Sequence, residues 1–322
     1  MVVAEGGVVL VTGGAGFIGS HLVDRLVGDG FVVRVVDNFS SGRLENLRGC
    51  VGSGFIEVLN VDVKDRQKVF EAVRGVGVVF HFAANPEVRV STVNPEVHFN
   101  ENVLATFNVL EAVRRFDVGE FVFASSSSVY GEPEVIPVDE SAPLRPVSVY
   151  GASKAACESL IHAYSRLYGF RAVVLRYANV VGPRLRHGVV YDFIVKLLNK
   201  PDVLEVLGDG TQTRSYIHVS DAVEATLMAW RGLGDSFEVY NVGGEDWISV
   251  NEVADITAKI LGLDGVKRVY KPVLHGVGWL GDVKHIALSI EKLKALGWRP
   301  RMGSREALAE AARCILSEVK RC

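Results

Sequence analysis

Short apolar runs alternate with stretches of helical periodicity along the first 180 residues of the chain. The runs, rich in valine and phenylalanine, predict strands at 8–12, 32–37, 55–62, 77–83, 120–125 and 171–180. Apolar positions three and four residues apart predict helices at 20–30, 103–116 and 154–169. Strands that are apolar along their whole length are typical of parallel sheets covered on both faces. The order therefore predicts a doubly wound α/β fold, whose ligands lie at the carboxyl ends of the strands.

After Asn179 the alternation becomes looser, which indicates a second, smaller lobe of mixed helices and strands. Helices are expected at 189–199 and 220–232, and a strand at 237–244 is expected to return to the main sheet. We therefore predict two domains that are interleaved along the chain. The first comprises residues 1–178 and about 218–245, and the second comprises about 179–217 and 246–322.

Composition and charge argue against several functional classes. The 322 residues are enough to bury a sizeable core, and the net charge of −3 gives no support to a nucleic-acid partner. No apolar run reaches the roughly 18 residues of a membrane helix. The first residues carry an acid and no base, unlike a secretory leader. We therefore expect a cytoplasmic protein. Cys50, Cys157, Cys314 and Cys322 lack the spacing of metal ligands, so we expect no metal and interpret them as small buried hydrophobic residues.

A glycine-rich turn follows the first predicted strand. Gly13, Gly16 and Gly19 form a GxxGxxG pattern ahead of a helix, where the missing side chains let backbone amides approach a pyrophosphate. Asp37 ends the next strand, 24 residues after Gly13. A carboxylate there accepts hydrogen bonds from the ribose hydroxyls of NAD and repels the 2′-phosphate of NADP, so the combination predicts a Rossmann-like NAD site. Asp62 ends a third strand and either contacts the adenine or caps the following helix.

A tyrosine and a lysine four residues apart form the candidate catalytic pair. Tyr150 and Lys154, in the segment YGASK, lie on one face of a predicted helix. A free tyrosine titrates near pH 10, so it acts as a base only if neighbouring cations lower its pKa by about three units. The lysine and a positively charged nicotinamide ring are the expected cations. The YxxxK pattern alone is common by chance, but its position after the glycine motif and Asp37 favours catalysis.

These motifs, together with HFAANPEVRVS, ASSSSVYGE, NVVGPR and GDGTQTRSYIHV, resemble those of the extended short-chain dehydrogenase/reductases over essentially the whole chain. Within that family the chain is most similar to nucleotide-sugar 4-epimerases of the UDP-glucose/UDP-galactose type. The resemblance implies a Ser–Tyr–Lys triad, tightly held NAD⁺ and a homodimer joined through two helices of each subunit, predicted here at 103–116 and 154–169. It also implies oxidation at C4 of the sugar to a 4-keto intermediate, followed by return of the hydride to the opposite face.

The resemblance also assigns roles to individual residues. The hydroxyl partner of Tyr150 falls on Ser126, with Ser125 and Ser127 as alternatives one position away. The substrate contacts implied are Ser126, Ser127, Tyr150, Asn179, Val189, Val190 and Arg214, of which the two valines are placed over the uracil. The cofactor contacts implied, besides the three glycines, Asp37, Asp62, Tyr150 and Lys154, are Phe17, Ile18, Asn38, Ser40, Ser41, Gly42, Val63, Phe82, Ala83, Ala84, Asn102 and Ser125.

Departures from the family pattern leave alternatives open. Ser127 and Ser128 stand where related 4,6-dehydratases and decarboxylases carry an acidic group, which disfavours those reactions. Trp279, in WLGD, stands where a second phosphate-binding arginine is expected. That contact is either missing or supplied elsewhere, for example by Arg184, Arg186, His187 or Lys284. The alternative functions are a 4-epimerase of UDP-N-acetylhexosamine or UDP-glucuronate, a 4,6-dehydratase, and a non-catalytic NAD-binding regulator.

Overall fold

The computed structural model describes residues 7–234 and 236–320. The first six residues, used above in the argument about a leader, and Cys322 lie outside this range. Cys50, Cys157 and Cys314 lie within it as free thiols. Among the helices of the described residues, none has both the length and the apolar character needed to cross a bilayer.

The secondary structure alternates between strands and helices in the first two-thirds of the chain. The strands are β1 (Val8–Thr12), β2 (Val32–Asp37), β3 (Ile56–Asn60), β4 (Val78–His81), β5 (Glu120–Ser126), β6 (Arg171–Tyr177), β7 (Asn179–Val181), β8 (Val203–Leu207), β9 (Thr213–Arg214), β10 (Tyr216–His218), β11 (Phe237–Val242), β12 (Ile248–Ser249), β13 (Lys267–Lys271) and β14 (His285–Ile286). The helices are α1 (Phe17–Gly28), α2 (Arg66–Val73), α3 (Glu96–His98), α4 (Ala105–Arg115), α5 (Val149–Tyr168), α6 (Val189–Asn199), α7 (Val219–Arg231), α8 (Val250–Leu261), α9 (Glu291–Ala295) and α10 (Ser304–Val319). A π-helical segment, Phe99–Leu104, joins α3 to α4.

The central sheet has seven strands in the order β11-β6-β5-β4-β1-β2-β3. Its first six strands in chain order follow the 3-2-1-4-5-6 arrangement of dinucleotide-binding folds, which places a ligand crevice where the chain reverses, between β1 and β4. Those two strands pair in parallel, with Val9 opposite Val78. Leu10, Val79 and Phe121 are fully buried on one face of the sheet, in a cluster with Val109 of α4 and Ile161 of α5. The predicted α/β class and doubly wound sheet are confirmed.

Contacts within the chain divide it into two compact units. The first contains the residues up to Val129, together with Val149–Arg176 and Thr226–Tyr240. The second contains Tyr130–Ser148, Tyr177–Ala225 and the residues from Asn241 onward. In the second unit, three small sheets pair β10 with β7, β13 with β8, and β9 with both β12 and β14. Helices α6, α8 and α10 accompany these sheets.

Several elements differ from those predicted. The helix expected at 103–116 begins at Glu96 and passes through the π-helical segment, which a pattern of 3.6-residue periodicity does not reveal. The strand expected at 171–180 is divided into β6 and β7, because the amide of Ala178 bonds to the carbonyl of Val242 and that of Asn179 to Ser215. Helix α5 begins five residues earlier than the expected 154, so Tyr150 lies in its first turn.

Candidate active site

In the turn between β1 and α1, the glycine positions leave little or no space for a side chain. Gly13 has φ of +67°, and a Cβ on it would lie 2.7 Å from the amide nitrogen of Ala83. A Cβ on Gly19 would overlap the carbonyl oxygen of Gly13. Gly16 precedes α1, whose N-terminus carries no side-chain cap. The turn therefore presents bare helix amides at the carboxyl end of β1, the arrangement that binds a pyrophosphate.

Asp37 ends β2 beside this turn. Its carboxylate accepts hydrogen bonds from the amides of Ala15 at 3.0 Å and Phe39 at 2.8 Å. Burial raises the pKa of Asp37, and the two amide hydrogen bonds act in the opposite direction. A Cβ at Gly42 would lie 2.7 Å from the carboxylate, so only glycine keeps that side of the acid open. The glycine turn and the carboxylate together fit the two ends of an adenosine diphosphate group.

Asp62, which follows β3, is linked to the loop after β2. It accepts hydrogen bonds from Asn38 Nδ2 at 3.1 Å and from the amide of Lys64 at 2.9 Å. Burial raises the pKa of Asp62, but these hydrogen bonds outweigh burial and lower the pKa overall. The cap of α2 is Asp65, which accepts from the amide of Lys68. The helix-cap interpretation of Asp62 is therefore wrong, and its place beside Asn38 is consistent with an adenine contact.

The chain after β4 lies against the glycine turn. The amides of Phe82 and Ala83 donate to the carbonyl and the hydroxyl of Thr12, at 3.1 and 3.2 Å. The same hydroxyl contacts His81 Nδ1 at 2.7 Å. Burial, with a smaller contribution from the charge of Lys154, lowers the pKa of His81 to about 3. A neutral histidine thus holds the two strand ends together, and the predicted Phe82–Ala84 contacts lie at the expected edge.

Asn102, in the π-helical segment, connects this loop to the catalytic helix. Its Oδ1 accepts from the amide of Asn85 at 2.8 Å, and its Nδ2 donates to Ser153 Oγ at 2.9 Å. Ser153 in turn donates to the carbonyl of Tyr150 at 2.7 Å. The residue is 1% exposed. Its side chain therefore positions α5 as well as lying near the predicted cofactor site.

The serines at the end of β5 have different partners. Ser125 donates to Glu158, a buried carboxylate that also accepts from Arg176 Nη2 at 2.7 Å. Ser126 accepts from Ser128 Oγ at 3.0 Å, and its side chain acts on the phenol of Tyr150, whose pKa it lowers against the larger effect of burial. The geometry thus favours Ser126 over Ser125 as the hydroxyl partner of the tyrosine, because Ser125 is engaged by the ion pair.

Lys154 lies one helical turn beyond Tyr150, as the spacing predicts. Its ammonium group donates to the carbonyl of Ala124 at 2.8 Å and lies 6.0 Å from the centre of the Tyr150 ring. Burial lowers the pKa of Lys154 to about 8, with Cys157 and Glu158 acting against it. The charged form of this lysine is therefore less favoured than that of an exposed one.

The acidity of Tyr150 differs from the sequence expectation. Burial of the hydroxyl raises its pKa to about 12, and the hydrogen bond from Ser126 offsets part of this effect. The expected lowering by Lys154 is therefore wrong for the described residues, because burial dominates and the ammonium group does not offset it. The physical reason is that a dry site disfavours tyrosinate unless a second positive charge enters it.

Of the substrate residues named from the sequence, Asn179, Val189, Val190 and Arg214 lie in the second unit. The exposed Asn179 is held through its amide by the carbonyl of Ser215 at 3.3 Å. Val189 begins α6, whereas the side chain of Val190 is 1% exposed and packs into the interior. Arg214 pairs with Asp282 at 2.7 Å and also donates to backbone carbonyls. Its charge is therefore already shared with a carboxylate.

Trp279 occupies the loop before Asp282. Its indole Nε1 is buried and has no partner among the described residues. Lys284, named as a substitute cation, forms an ion pair with Asp209, and this hydrogen bond lowers the pKa of Asp209 to about 2. Trp279 therefore does not replace the positive charge of an arginine, and Lys284 is held by an acid.

Two residues that matter to the site carry no sequence motif. Glu158 follows Lys154 by four residues on the same helical face, and this spacing could have identified it. His98, fully buried, packs against Tyr150 with ring centres 5.6 Å apart. No local sequence pattern identifies His98, because the π-helical segment that follows it changes the helical register.

Comparison with known proteins places this arrangement in context. Residues 9–243 match the model of the NAD dependent epimerase/dehydratase family. A putative UDP-glucose 4-epimerase of Methanocaldococcus jannaschii is 40% identical over 309 residues, covering 93% of this chain and 95% of the relative.

Two solved structures extend the similarity to three dimensions. A crystal structure of a UDP-galactose 4-epimerase is 51% identical with a TM-score of 0.87, covering 97% of this chain and 99% of that one. The UDP-glucose 4-epimerase of Thermus thermophilus, solved as a complex with NAD, is 38% identical with a TM-score of 0.84, covering 96% of this chain and 98% of that one.

Proposed function

Because the chain belongs to the NAD dependent epimerase/dehydratase family, we propose that it interconverts UDP-galactose and UDP-glucose by transient oxidation at C4 of the sugar. The observation that carries this proposal is the arrangement at the end of β5, where Ser126 acts on the phenol of Tyr150 and the ammonium group of Lys154 lies 6.0 Å from the centre of its ring. Relatives of lower identity, 32% and 31%, are a UDP-glucuronate 4-epimerase and a UDP-N-acetylglucosamine 4-epimerase. Those sugars remain the alternative substrates.

The first unit would hold NAD through the Gly13–Gly19 turn, Asp37 and the chain after β4. NAD⁺, when bound, would supply the hydride acceptor for oxidation at C4 and the hydride donor for reduction of the 4-keto sugar from the opposite face. Tyr150, as phenolate, takes the proton of the 4-hydroxyl and later gives it back, while Ser126 holds that hydroxyl in line. Lys154 and the charged nicotinamide would together stabilise the phenolate that burial disfavours.

The absence of a carboxylate among the serines favours epimerisation over dehydration. Removing a proton from carbon 5 needs a further acid or base. Ser127 and Ser128 occupy the positions after Ser126, and Ser128 donates to Ser126. The chemistry that these groups support is hydride transfer with a hydroxyl proton. The second unit, with Asn179, Val189 and Arg214, is the proposed holder of the nucleotide.

A homodimer and a cytoplasmic location are also proposed. Helices α4 and α5, with the π-helical segment, leave several large apolar side chains exposed in the first unit. These are Phe99 at 59%, Leu104 at 38%, Leu167 at 73% and Tyr168 at 48%. A second copy of the chain would cover such a face, and a monomeric mass in solution would contradict this. The free thiols of the described cysteines suit a reducing compartment.

The test combines cofactor release with turnover. We expect freshly denatured protein to release NAD(H), and native protein to convert UDP-galactose to UDP-glucose with no cofactor added. Tyr150→Phe should lower kcat by about 100-fold or more, because it removes the acid–base group. Tyr168→Phe, an exposed tyrosine on the same helix, is the matched control and should retain activity. Bound NAD without turnover of UDP-galactose would agree with NAD-dependent oxidation of a sugar but would contradict UDP-galactose as the substrate.

A further inference from the structure

His98 lies at a break in helical geometry next to the catalytic helix. It is the last residue of α3, and the π-helical segment begins at the following residue. Such segments widen a helix by one residue per turn and occur often at functional sites. His98 and Asn102 both lie on the buried side of this segment, where Asn102 is bonded to α5 through Ser153. The break therefore directs two polar side chains toward the start of α5.

The imidazole of His98 is fully buried and only weakly bonded. Its Nδ1 lies 3.5 Å from Asn102 Nδ2, and its Nε2 has no partner among the described residues. A buried nitrogen without a partner costs free energy that an apolar side chain of similar size would avoid. The imidazole is therefore held mainly by the contacts of its ring and only weakly by hydrogen bonds.

The ring of His98 meets the ring of Tyr150 edge to face. The ring centres are 5.6 Å apart and the planes are inclined by 67°. Aromatic pairs prefer this arrangement, because the positive edge of one ring meets the negative face of the other. The backbone of Tyr150 is held separately, its amide by Ser91 Oγ at 3.1 Å and its carbonyl by Ser153 Oγ. His98 is thus an aromatic side chain that contacts the phenol ring of Tyr150 and can fix its orientation.

We propose that His98 is a positioning residue for Tyr150, whose neutral imidazole ring keeps the phenol at the angle that brings its hydroxyl to Ser126. The proposal rests on the proposed role of Tyr150 as the acid–base group. The charged groups that act on His98 are Glu101 on its own helix, Glu87 in the loop after β4 and Lys154 on α5. Burial and, less strongly, the charge of Lys154 lower the pKa of His98, whereas the two acids raise it. The net effect is a lowered pKa, so the ring is uncharged at neutral pH.

Two variants distinguish the effect of the His98 ring from the effect of its hydrogen bond. His98→Phe keeps the aromatic edge and removes both nitrogens, whereas His98→Gln keeps a polar group for Asn102 and removes the ring. We expect His98→Gln to lower kcat for UDP-galactose by about tenfold or more, with a smaller change in KM, because misplacement of a reacting group is felt in the chemical step. The pH at which kcat falls by half on the acid side should also move. His98→Phe should restore kcat to within about threefold of the unmodified enzyme.

Activities are to be expressed per bound NAD, so that a loss of folded protein does not appear as a loss of kcat. A purely structural role would lower the melting temperature of His98→Gln and leave kcat per NAD and its pH profile unchanged, which would overturn the proposal. Loss of kcat in both variants to the same degree would overturn it as well, because the ring would then not be the active feature. Turnover by Tyr150→Phe would overturn both this inference and the proposed function, whereas inactive Tyr150→Phe beside unchanged His98→Gln would overturn this inference alone.

Discussion

Neighbouring serines at the end of β5 have different roles because they meet different partners. Ser125 points to the Glu158–Arg176 ion pair, which lies in the interior with both side chains almost fully buried. Ser126 acts on the phenol of Tyr150 and lowers its pKa, against the effect of burial. The sequence alone leaves the choice between these serines open by one position, because side-chain direction alternates along a strand and the end of the strand is uncertain.

These environments predict that removal of the hydroxyl lowers mainly the stability at Ser125 and mainly kcat at Ser126. Ser125→Ala leaves a buried carboxylate with one donor fewer, so it should lower the free energy of unfolding by about 1–3 kcal/mol. Ser126→Ala should lower kcat by about 10- to 100-fold with a smaller loss of stability, because its partner is the reacting tyrosine. Ser159→Ala, at an exposed position of α5, is the control. Denaturant unfolding and kcat per bound NAD measure the two effects. A larger loss of kcat in Ser125→Ala would show that the roles are reversed.

At the scale of elements, the apolar strands are predictable and the irregular helices are not. Strands β1 and β2 begin and end where the sequence indicates, because buried parallel strands are apolar throughout. Helix α2, Arg66–Val73, is only eight residues long, too short for a clear helical periodicity, and the sequence raises it only as the helix that Asp62 could cap. The site follows the same rule. Motif residues such as Asp37 can be found by spacing, whereas His98 depends on the π-helical segment and on contacts distant in sequence.

Helix α1 offers a test of how tightly the cofactor turn is packed. Alanine normally stabilises a helix over glycine by about 0.5–1 kcal/mol. Gly28→Ala should show that gain, because no atom lies within 4 Å of the added Cβ. Gly19→Ala should instead destabilise the protein and reduce the NAD bound per chain, since its Cβ overlaps the carbonyl of Gly13. Thermal unfolding and NAD released on denaturation are the measurements. Equal melting temperatures and equal amounts of bound NAD in the two variants would show that the turn can accommodate a side chain at Gly19.

At the scale of the whole molecule, the chain passes between the two units five times. The passages are Val129 to Tyr130, Ser148 to Val149, Arg176 to Tyr177, Ala225 to Thr226 and Tyr240 to Asn241. The sequence does not predict that Tyr130–Ser148 belongs to the second unit. That segment lacks periodicity, and it is held by contacts such as Tyr130 to Asn241 at 2.7 Å, 111 residues apart. Spacing rules do not detect pairs at such separation.

This repeated exchange predicts that the two units unfold together and that NAD stabilises both. With five chain passages, unfolding of one unit would release elements of the other, such as α7, which contains the boundary at Ala225. We expect calorimetry of NAD-stripped protein to show one transition. NAD at about 100 times its Kd should add about 2.7 kcal/mol to the free energy of unfolding and raise the temperature of that transition by several degrees. NADP at the same concentration is the control and should raise it less, because Asp37 repels a 2′-phosphate. Two transitions, of which NAD moves only one, would show that the units are energetically independent.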